Sequence, residues 1–247
     1  MPNRSLGHFD LIVMGAGSAG ACAAIAAARS GSKVLVIDRL PFIGGTSTAV
    51  LDTFYGFYTP GEKAKKIVGG IPDDVVNGLK KFGSMIERPN TYGAGTGVTY
   101  NAEHLKVVWE SLIIKSGAKI LLHSLLQQVK VLDGRVQELI LATRAGLCSV
   151  TGDFFIDATG DADLSNFAGF GYEKAGEIAP AQTLTTTFKM VNVDLVERKK
   201  IQKEQLHQLM QEATDNGYEL PRKEGSDHIT PVANTTATVM TRLDSVR

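Results

Sequence analysis

The sequence predicts an α/β fold built on a parallel β-sheet, and three consecutive segments carry this prediction. Residues 9–14 form a short apolar run, typical of a strand buried on both faces. Residues 21–28 are rich in alanine and favour a helix, and residues 33–37 form a second apolar run. Because a helix separates two short buried strands, we expect a βαβ unit with the strands parallel.

The turn between the first strand and the helix is rich in glycine. Gly15, Gly17 and Gly20 stand in a GxGxxG spacing. Gly15 permits a sharp reversal, Gly17 lets the backbone approach a ligand closely, and Gly20 lets the helix pack against the strand. The N–H groups of the first helical turn carry a partial positive charge that attracts phosphates. The turn therefore predicts a site for the pyrophosphate of a dinucleotide.

Asp38 directly follows the second strand, 23 positions after Gly15. At this spacing a carboxylate can accept hydrogen bonds from a ribose 2′-hydroxyl, and its charge would repel a 2′-phosphate. A glycine fingerprint by itself also occurs as a purely structural turn. Here the strand, turn, helix, second strand and acid follow the order of a Rossmann-like dinucleotide-binding domain, which favours the functional interpretation.

Composition narrows the class of partner. The chain has 247 residues, of which 43% are hydrophobic, enough for one large or two smaller domains. Lys plus Arg and Asp plus Glu each total 26, so the zero net charge indicates no broad basic surface for nucleic acid. We therefore expect a small-molecule substrate and no nucleic acid.

The sequence also gives expectations about cellular location and metal binding. The glycine turn interrupts the apolar stretch after the first strand, and no signal peptide precedes that strand. We therefore expect a cytoplasmic protein without a membrane span. Cys22 and Cys148 have no CxxC spacing, and His123 and His207 have no partner cluster, so no metal site is predicted.

The loop at residues 41–48 follows the second strand. Gly44 and Gly45 permit close approach to a flat cofactor, and Thr46 and Ser47 offer hydrogen-bond donors and acceptors. The alternative is a structural one, in which Thr46 or Ser47 is the N-cap of a helix.

Other elements follow from periodicity and turn residues. We expect a frayed lead-in over residues 1–8, a helix over 72–86 within a lid inserted at about 50–100, a helix over 102–116 with Asn101 as its N-cap, a β-hairpin whose strands 129–132 and 136–142 meet at Asp133-Gly134, and a helix over 196–216.

Residues 154–163, FFIDATGDAD, repeat the pattern of an apolar strand that enters a turn of small residues. Ligands of open α/β sheets bind at the carboxyl ends of the strands, and Thr159 and Gly160 would let the backbone approach a cofactor there. Asp157, Asp161 and Asp163 resemble a calcium loop in composition, but they lack the glycine and the distal glutamate of an EF-hand.

Taken together, the glycine turn, the GGTS loop, the hairpin and the IDATGDADL segment resemble FAD-dependent oxidoreductases with two dinucleotide-binding domains. The resemblance runs over roughly residues 9–192 and points toward flavoproteins related to succinate dehydrogenase and fumarate reductase. It implies FAD as the cofactor, an FAD-binding domain at residues 1–175 and the start of a substrate domain at residues 176–247.

The resemblance also implies which residues hold FAD. They fall into four groups: Gly15, Gly17, Ser18, Ala19 and Gly20 at the pyrophosphate; Asp38, Arg39 and Leu126 at the adenosine ribose and adenine; Gly44, Gly45, Thr46 and Ser47 along the pyrophosphate and isoalloxazine; and Ala158, Thr159, Gly160 and Asp161 closing the site.

One segment of such flavoproteins is not evident in this sequence. They complete the cofactor site with a late Gly-Asp segment, whereas here a charged run after Asp194 leads to Pro221, Pro231 and a threonine-rich stretch. We therefore expect a chain truncated at its carboxyl end; completion by another subunit is the alternative.

The resulting hypothesis is an oxidoreductase whose FAD exchanges a hydride with a small organic substrate. Two alternatives stay open: a nucleotide-binding fragment or subunit without turnover, and a domain that binds NAD instead of FAD. The five histidines build no Ser/His/Asp or Cys/His arrangement, so catalytic residues are not assigned. An electron-transfer partner is also compatible with this hypothesis.

Overall fold

The computed structural model describes residues 4–51, 54–59, 63–89, 96–225, 227–239 and 243. In chain order the elements are β1 (Arg4–Met14), α1 (Ser18–Arg29), β2 (Val34–Ile37), α2 (Thr46–Ala49), β3 (Phe54–Gly56), α3 (Ile71–Lys81), β4 (Met85–Pro89), β5 (Thr96–Tyr100), α4 (Ala102–Ser116), β6 (Lys119–Leu121), β7 (Leu125–Leu132), β8 (Arg135–Thr143), β9 (Gly146–Asp157), α5 (Asp163–Phe167), β10 (Thr187–Met190), α6 (Leu195–Lys200), α7 (Lys203–Asp215), β11 (Asp227–Ile229) and β12 (Thr236–Val239).

A six-stranded sheet carries the amino-terminal half of the chain, with the strand order β6-β2-β1-β9-β8-β7. The strands β6, β2, β1 and β9 are parallel, and β8 and β7 continue the sheet antiparallel. Strand β1 lies in the middle, where Val13 pairs with Val36 of β2 and with Ile156 of β9. The predicted α/β fold with a βαβ unit and a parallel sheet is confirmed.

Helices bury the apolar residues of this sheet. All four residues of β2 are buried, as are Ile12 and Val13 of β1, which explains their unbroken apolar runs. Helix α1 contacts β1 and β2 and buries Ala24 and Ile25. Helix α4 contacts α1 and places Trp109 in the core, where the side chain is 2% exposed.

The β-hairpin is confirmed, and both of its strands are longer than predicted. Strands β7 and β8 pair from Leu125 with Ala142 to Leu132 with Arg135, around the predicted turn at Asp133-Gly134. One hairpin face joins a buried cluster that includes Leu139 and Ile12. The hairpin is therefore part of the main sheet.

Two predicted element boundaries are wrong, namely the amino-terminal end of β1 and the carboxyl-terminal end of α3. Strand β1 begins at Arg4, which pairs with Cys148, so the described part of the expected lead-in is a strand. Helix α3 ends at Lys81, because Gly83 has a φ of +61° and stops the helix. The residues that follow form β4, which pairs with β5. The helix predicted over residues 102–116 is confirmed as α4.

The helix predicted over residues 196–216 is also wrong as one element. It consists of α6 and α7, which are separated by Ile201 in an extended conformation with ψ of 111°. Asp194 caps α6, since its carboxylate accepts hydrogen bonds from the amides of Val196 and Glu197.

The chain divides into two compact units. The first comprises Met1–Ala49, Val68–Phe82 and Ala102–Tyr172, and the second comprises Val50–Ile67, Gly83–Asn101 and Glu173–Arg247. Helix α3, expected in an inserted lid, belongs to the first unit with the sheet. The segment expected as a lid at about residues 50–100 is therefore divided between the two units.

The described part of the second unit contains two antiparallel sheets of three strands, with the orders β3-β5-β4 and β10-β12-β11. On the first of these sheets the ring of Tyr55 lies 5.0 Å from that of Tyr100 and 5.5 Å from that of Phe57. Arg198 of α6 binds the carboxylate of Asp227 with two nitrogens, which fixes α6 to β11.

Two leucines of the hairpin test the assignment of its buried face. Leu139 is fully buried, whereas Leu132 is 64% exposed. We expect Leu139→Ala to lower the free energy of unfolding by about 2–5 kcal/mol, and Leu132→Ala to change it by less than about 0.5 kcal/mol. Urea denaturation followed by circular dichroism measures both values. Equal losses in the two variants would contradict the register of β7 and β8.

Candidate functional site

The carboxyl ends of β1, β2 and β9 meet at the glycine turn. The amide of Gly15 donates a hydrogen bond to the carbonyl of Ile37 (2.7 Å), and the amide of Ala158 donates one to the carbonyl of Met14 (2.7 Å). The turn after β1 thus lies between the last residue of β2 and the residue after β9. This is the edge of an open α/β sheet where ligands bind.

Gly15 and Gly20 are required by the packing of the protein itself. Gly15 has a φ of +99°, and a Cβ there would lie 2.2 Å from the carbonyl oxygen of Ala158. A Cβ on Gly20 would lie 1.9 Å from the carbonyl oxygen of Gly15. At both positions two backbone segments approach each other so closely that no side chain fits between them.

Gly17 differs from these two glycines. Its φ is −65°, which other residues adopt readily, and a Cβ there would meet only the Cα of Gly45, at an ordinary 3.8 Å. Nothing among the described residues therefore requires glycine at this position. The space beside Gly17 is open to a ligand that approaches the backbone.

The amino terminus of α1 suits an anion. Gly17 is the N-cap, and in the described part of the chain the first turn has neither a side-chain cap nor an acidic residue. The amides of this turn therefore present their partial positive charge outward, toward the open space beside Gly17.

The loop after β2 packs directly on the glycine turn. Gly44 donates its amide to the carbonyl of Ala16 (2.9 Å) and forms a parallel bridge with Gly17. The hydroxyls of Ser18 and Ser47 lie 3.0 Å apart. Helix α2 begins at Thr46, which places Gly45 rather than Thr46 or Ser47 at the N-cap position.

Asp38 links β2 to the glycine turn. Its side chain is buried, and the carboxylate accepts hydrogen bonds from the amides of Ala16 (2.6 Å) and Leu40 (2.8 Å), one at each oxygen. Each carboxylate oxygen can accept a further hydrogen bond. The arrangement therefore fixes the carboxylate and leaves acceptor capacity for hydroxyl groups.

A cavity of about 260 Å³ opens beside Asp38. Five predicted site residues line it, namely Gly15, Asp38, Arg39, Leu126 and Thr159. Five others that the sequence did not assign also line it, namely Met14, Leu125, Gln127, Asp163 and Phe167. Asp163 and Phe167 follow the IDATG segment closely, so their positions along the chain were a usable signal, whereas nothing marked Gln127.

Other predicted residues lie outside this cavity. Ala19, Thr46, Gly160 and Asp161 are exposed and do not line it. Gly160 has a φ of +89° and open space around it. The residues expected at the adenosine end, Asp38, Arg39 and Leu126, line one cavity. The loop after β2 separately packs on the glycine turn.

Asp157, at the end of β9, organises the turn that follows it. One carboxylate oxygen accepts hydrogen bonds from the amide and hydroxyl of Thr159 (3.1 and 2.7 Å), and the other from the amide and hydroxyl of Ser165 (2.8 and 2.9 Å). Burial would raise the pKa of Asp157, but these hydrogen bonds outweigh it and hold the pKa below the usual value. The carboxylate therefore ties α5 to β9.

The described residues contain neither a metal-binding cluster nor a membrane-spanning helix. No group of three His, Cys, Asp or Glu side chains in them could hold a metal ion. In that part of the chain no helix combines the length and apolarity that crossing a membrane requires.

Comparison with known proteins agrees with this geometry. The family model described as FAD dependent oxidoreductase matches residues 10–245. Fumarate reductase (cytochrome) of Shewanella frigidimarina is 38% identical over 80 residues, which cover 32% of this chain and 14% of the reductase. The matched segment is therefore a small part of that relative's length.

Solved structures show the same fold over nearly the whole chain. BexE, studied for oxidation during BE-7585A biosynthesis, has a TM-score of 0.60 at 17% identity, covering 97% of this chain and 45% of BexE. The p-nitrophenol 4-monooxygenase PnpA of Pseudomonas putida DLL-E4 has a TM-score of 0.57 at 13% identity, covering 98% and 59%. At these identities the likeness shows the fold alone.

The two kinds of glycine give opposite expectations. Gly17→Ala should cost less than about 1 kcal/mol of stability, because a Cβ fits there, yet weaken FAD binding at least about tenfold by occupying the ligand's space. Gly20→Ala should lower stability by roughly 1–3 kcal/mol, because its Cβ clashes with backbone. Thermal unfolding and flavin-fluorescence titration separate the effects. Unchanged FAD affinity in Gly17→Ala would count against a ligand at this turn.

Asp157→Asn tests the role of the carboxylate at the end of β9. In either orientation the amide nitrogen would face a backbone N–H donor, so we expect a loss of roughly 1–3 kcal/mol at neutral pH. Because the folded pKa is lowered, the native contribution is present above about pH 4 and is lost as pH falls through the folded pKa.

The difference between Asp157→Asn and the native protein should therefore shrink below about pH 4 in chemical denaturation at several pH values. Asp161→Asn is the matched control, since Asp161 lies in the same turn but is exposed. An equal loss in both variants, or a difference independent of pH, would contradict this role.

Proposed function

This chain belongs to the FAD-dependent oxidoreductase family, and we propose that it transfers a hydride between bound FAD and a small organic substrate. The observation that carries the proposal is the meeting of the glycine turn, Asp38 and the end of β9 at one edge of the sheet. FAD is the cofactor of the family, and this edge has the features that an adenine dinucleotide requires.

Three features fit the cofactor. The open space beside Gly17 allows a diphosphate to approach bare backbone. The first turn of α1 offers amides and, within the described residues, no competing acid. Asp38 is held by two amides and keeps acceptor capacity for ribose hydroxyls.

The proposed cofactor-binding residues are those that the resemblance of the sequence implied. We assign Gly15, Gly17, Ser18, Ala19 and Gly20 to the pyrophosphate, Asp38 to the ribose, Arg39 and Leu126 to the adenine side, Gly44, Gly45, Thr46 and Ser47 to the region from the pyrophosphate to the isoalloxazine, and Ala158, Thr159, Gly160 and Asp161 to the closing turn. The fit is best supported for the residues around the cavity beside Asp38.

FAD supplies the two-electron chemistry when it is bound, so the contribution of this chain is to hold, orient and shield it. The glycine turn and Asp38 fix the adenosine diphosphate half through backbone amides and one carboxylate. Asp157 keeps the turn after β9 in place through Thr159 and Ser165. We propose that the substrate domain is formed by the second unit.

The relative from Shewanella suggests the first substrate to test. Its name is fumarate reductase (cytochrome), so fumarate, a small dicarboxylate, is a reasonable candidate for this chain as well. Reduction of its double bond would consume one proton and one hydride, and bound reduced FAD would supply the hydride. An electron donor would then have to restore the reduced flavin.

The decisive experiment uses the full chain and added FAD. We expect the protein to retain flavin through gel filtration, to bleach under anaerobic dithionite, and to regain its visible absorbance when fumarate or another small unsaturated acid is added. The Gly17→Ala variant, carried through the same steps, controls for loosely associated flavin. The mass of the extracted cofactor distinguishes FAD from NAD.

Two outcomes would count against this function. A protein that retains no FAD would overturn the cofactor assignment for this chain. Retained flavin that no substrate reoxidises would favour the alternative of a nucleotide-binding module without turnover, or one completed by another subunit.

A further inference from the structure

We propose that Gln127 and Phe167 bind the base of the bound dinucleotide, and that Gln127 selects adenine. This inference rests on the proposed function, because it places the adenosine half of FAD in the cavity beside Asp38. Both residues line that cavity, and they lie on elements far apart in the sequence. Neither residue contributes to the pyrophosphate or ribose contacts assigned above.

The backbone at Gln127 has an irregularity that faces this cavity. Leu126 pairs with Leu141 of β8 and Gln128 pairs with Ile140, so the ladder skips Gln127. Strand β7 is also the edge of the six-stranded sheet. A bulge of this kind leaves one residue without its ladder partner and redirects its side chain, and bulges occur often beside binding sites.

The side chain of Gln127 has the chemistry to distinguish purine bases. It is exposed, and its one described contact is a long hydrogen bond of 3.4 Å to the carbonyl of Leu126. A carboxamide offers one donor and one acceptor side by side, which complements the N6 amino group and N7 of adenine. Guanine presents two acceptors at that edge, so the same side chain pairs with it less well.

Phe167 supplies an aromatic face at the same cavity. Phe167 is the last residue of α5, and it is 46% exposed. The helix itself is well anchored. Leu164 of that helix is buried, and the Asp157 carboxylate holds Ser165. A fixed, half-exposed ring beside a nucleotide cavity can stack on a base, and such stacking tolerates any base because all bases have a π face.

The two residues should therefore act differently. Gln127 reads the edge of the base and sets the preference for adenine, whereas Phe167 contributes affinity without preference. The hydrogen bonds of Asp38 to Ala16 and Leu40 are independent of both. Removing either side chain should leave the ribose and pyrophosphate contacts in place.

The test measures ADP and GDP binding to the flavin-free full chain by isothermal titration calorimetry. We expect the native protein to prefer ADP. Gln127→Ala should weaken ADP binding about tenfold and change GDP binding little, which lowers the preference. Phe167→Ala should weaken both nucleotides about tenfold and leave their ratio unchanged.

Matched controls lie next to both residues. Gln128 is exposed on the same strand but keeps its ladder partner, and Phe170 is 44% exposed just after α5, and neither lines the cavity. We expect Gln128→Ala and Phe170→Ala to bind ADP and GDP as the native protein does. Thermal unfolding of all four variants shows whether a loss of binding reflects loss of folding.

The outcomes separate this inference from the proposed function. If the native protein binds FAD and ADP but Gln127→Ala and Phe167→Ala bind both nucleotides normally, the base-selecting role is wrong and the cofactor assignment stands. Equal native affinity for ADP and GDP also overturns the role of Gln127. If the native protein binds neither FAD nor ADP, both proposals are wrong.

Discussion

The close backbone contact at Gly15 is the constraint on which the cofactor site depends. The amide of Gly15 bonds to the end of β2, and its Cα lies so close to Ala158 that no Cβ fits. This contact brings the ends of β1, β2 and β9 to one place. The Asp38 carboxylate reinforces it by accepting the amide of Ala16. Every other feature of the site lies around these contacts.

The glycines of the turn serve two separate purposes. Gly15 and Gly20 are required for the folded protein to close, since a side chain at either would strike a carbonyl oxygen. Gly17 is not required by any described contact, so its absent side chain matters for a ligand rather than for the fold. A single sequence pattern thus combines a packing requirement with a binding requirement, and only the second is evidence of function.

Two carboxylates at the strand ends also have different tasks. Asp38 accepts two amides and still faces the cavity with spare acceptor capacity. Asp157 is engaged on both oxygens by its own turn and by α5, which lowers its pKa and makes it a structural group. Their sequence contexts are similar, since each follows an apolar strand, and only the hydrogen-bond partners distinguish a ligand-facing acid from one that supports the site.

The sequence by itself determined the elements whose signals are local. The βαβ unit, helix α4 and the hairpin turn follow from apolar periodicity and turn residues within short windows, and Asp38 was found by its spacing from Gly15. Gly83 is a local signal for the end of α3 that the prediction missed, whereas only the tertiary structure decided that α6 and α7 are separate and that β7 skips Gln127 in its ladder. The tertiary structure alone placed Gln127 and Phe167 beside Asp38. These features depend on pairing between residues far apart in the chain, which no local pattern encodes.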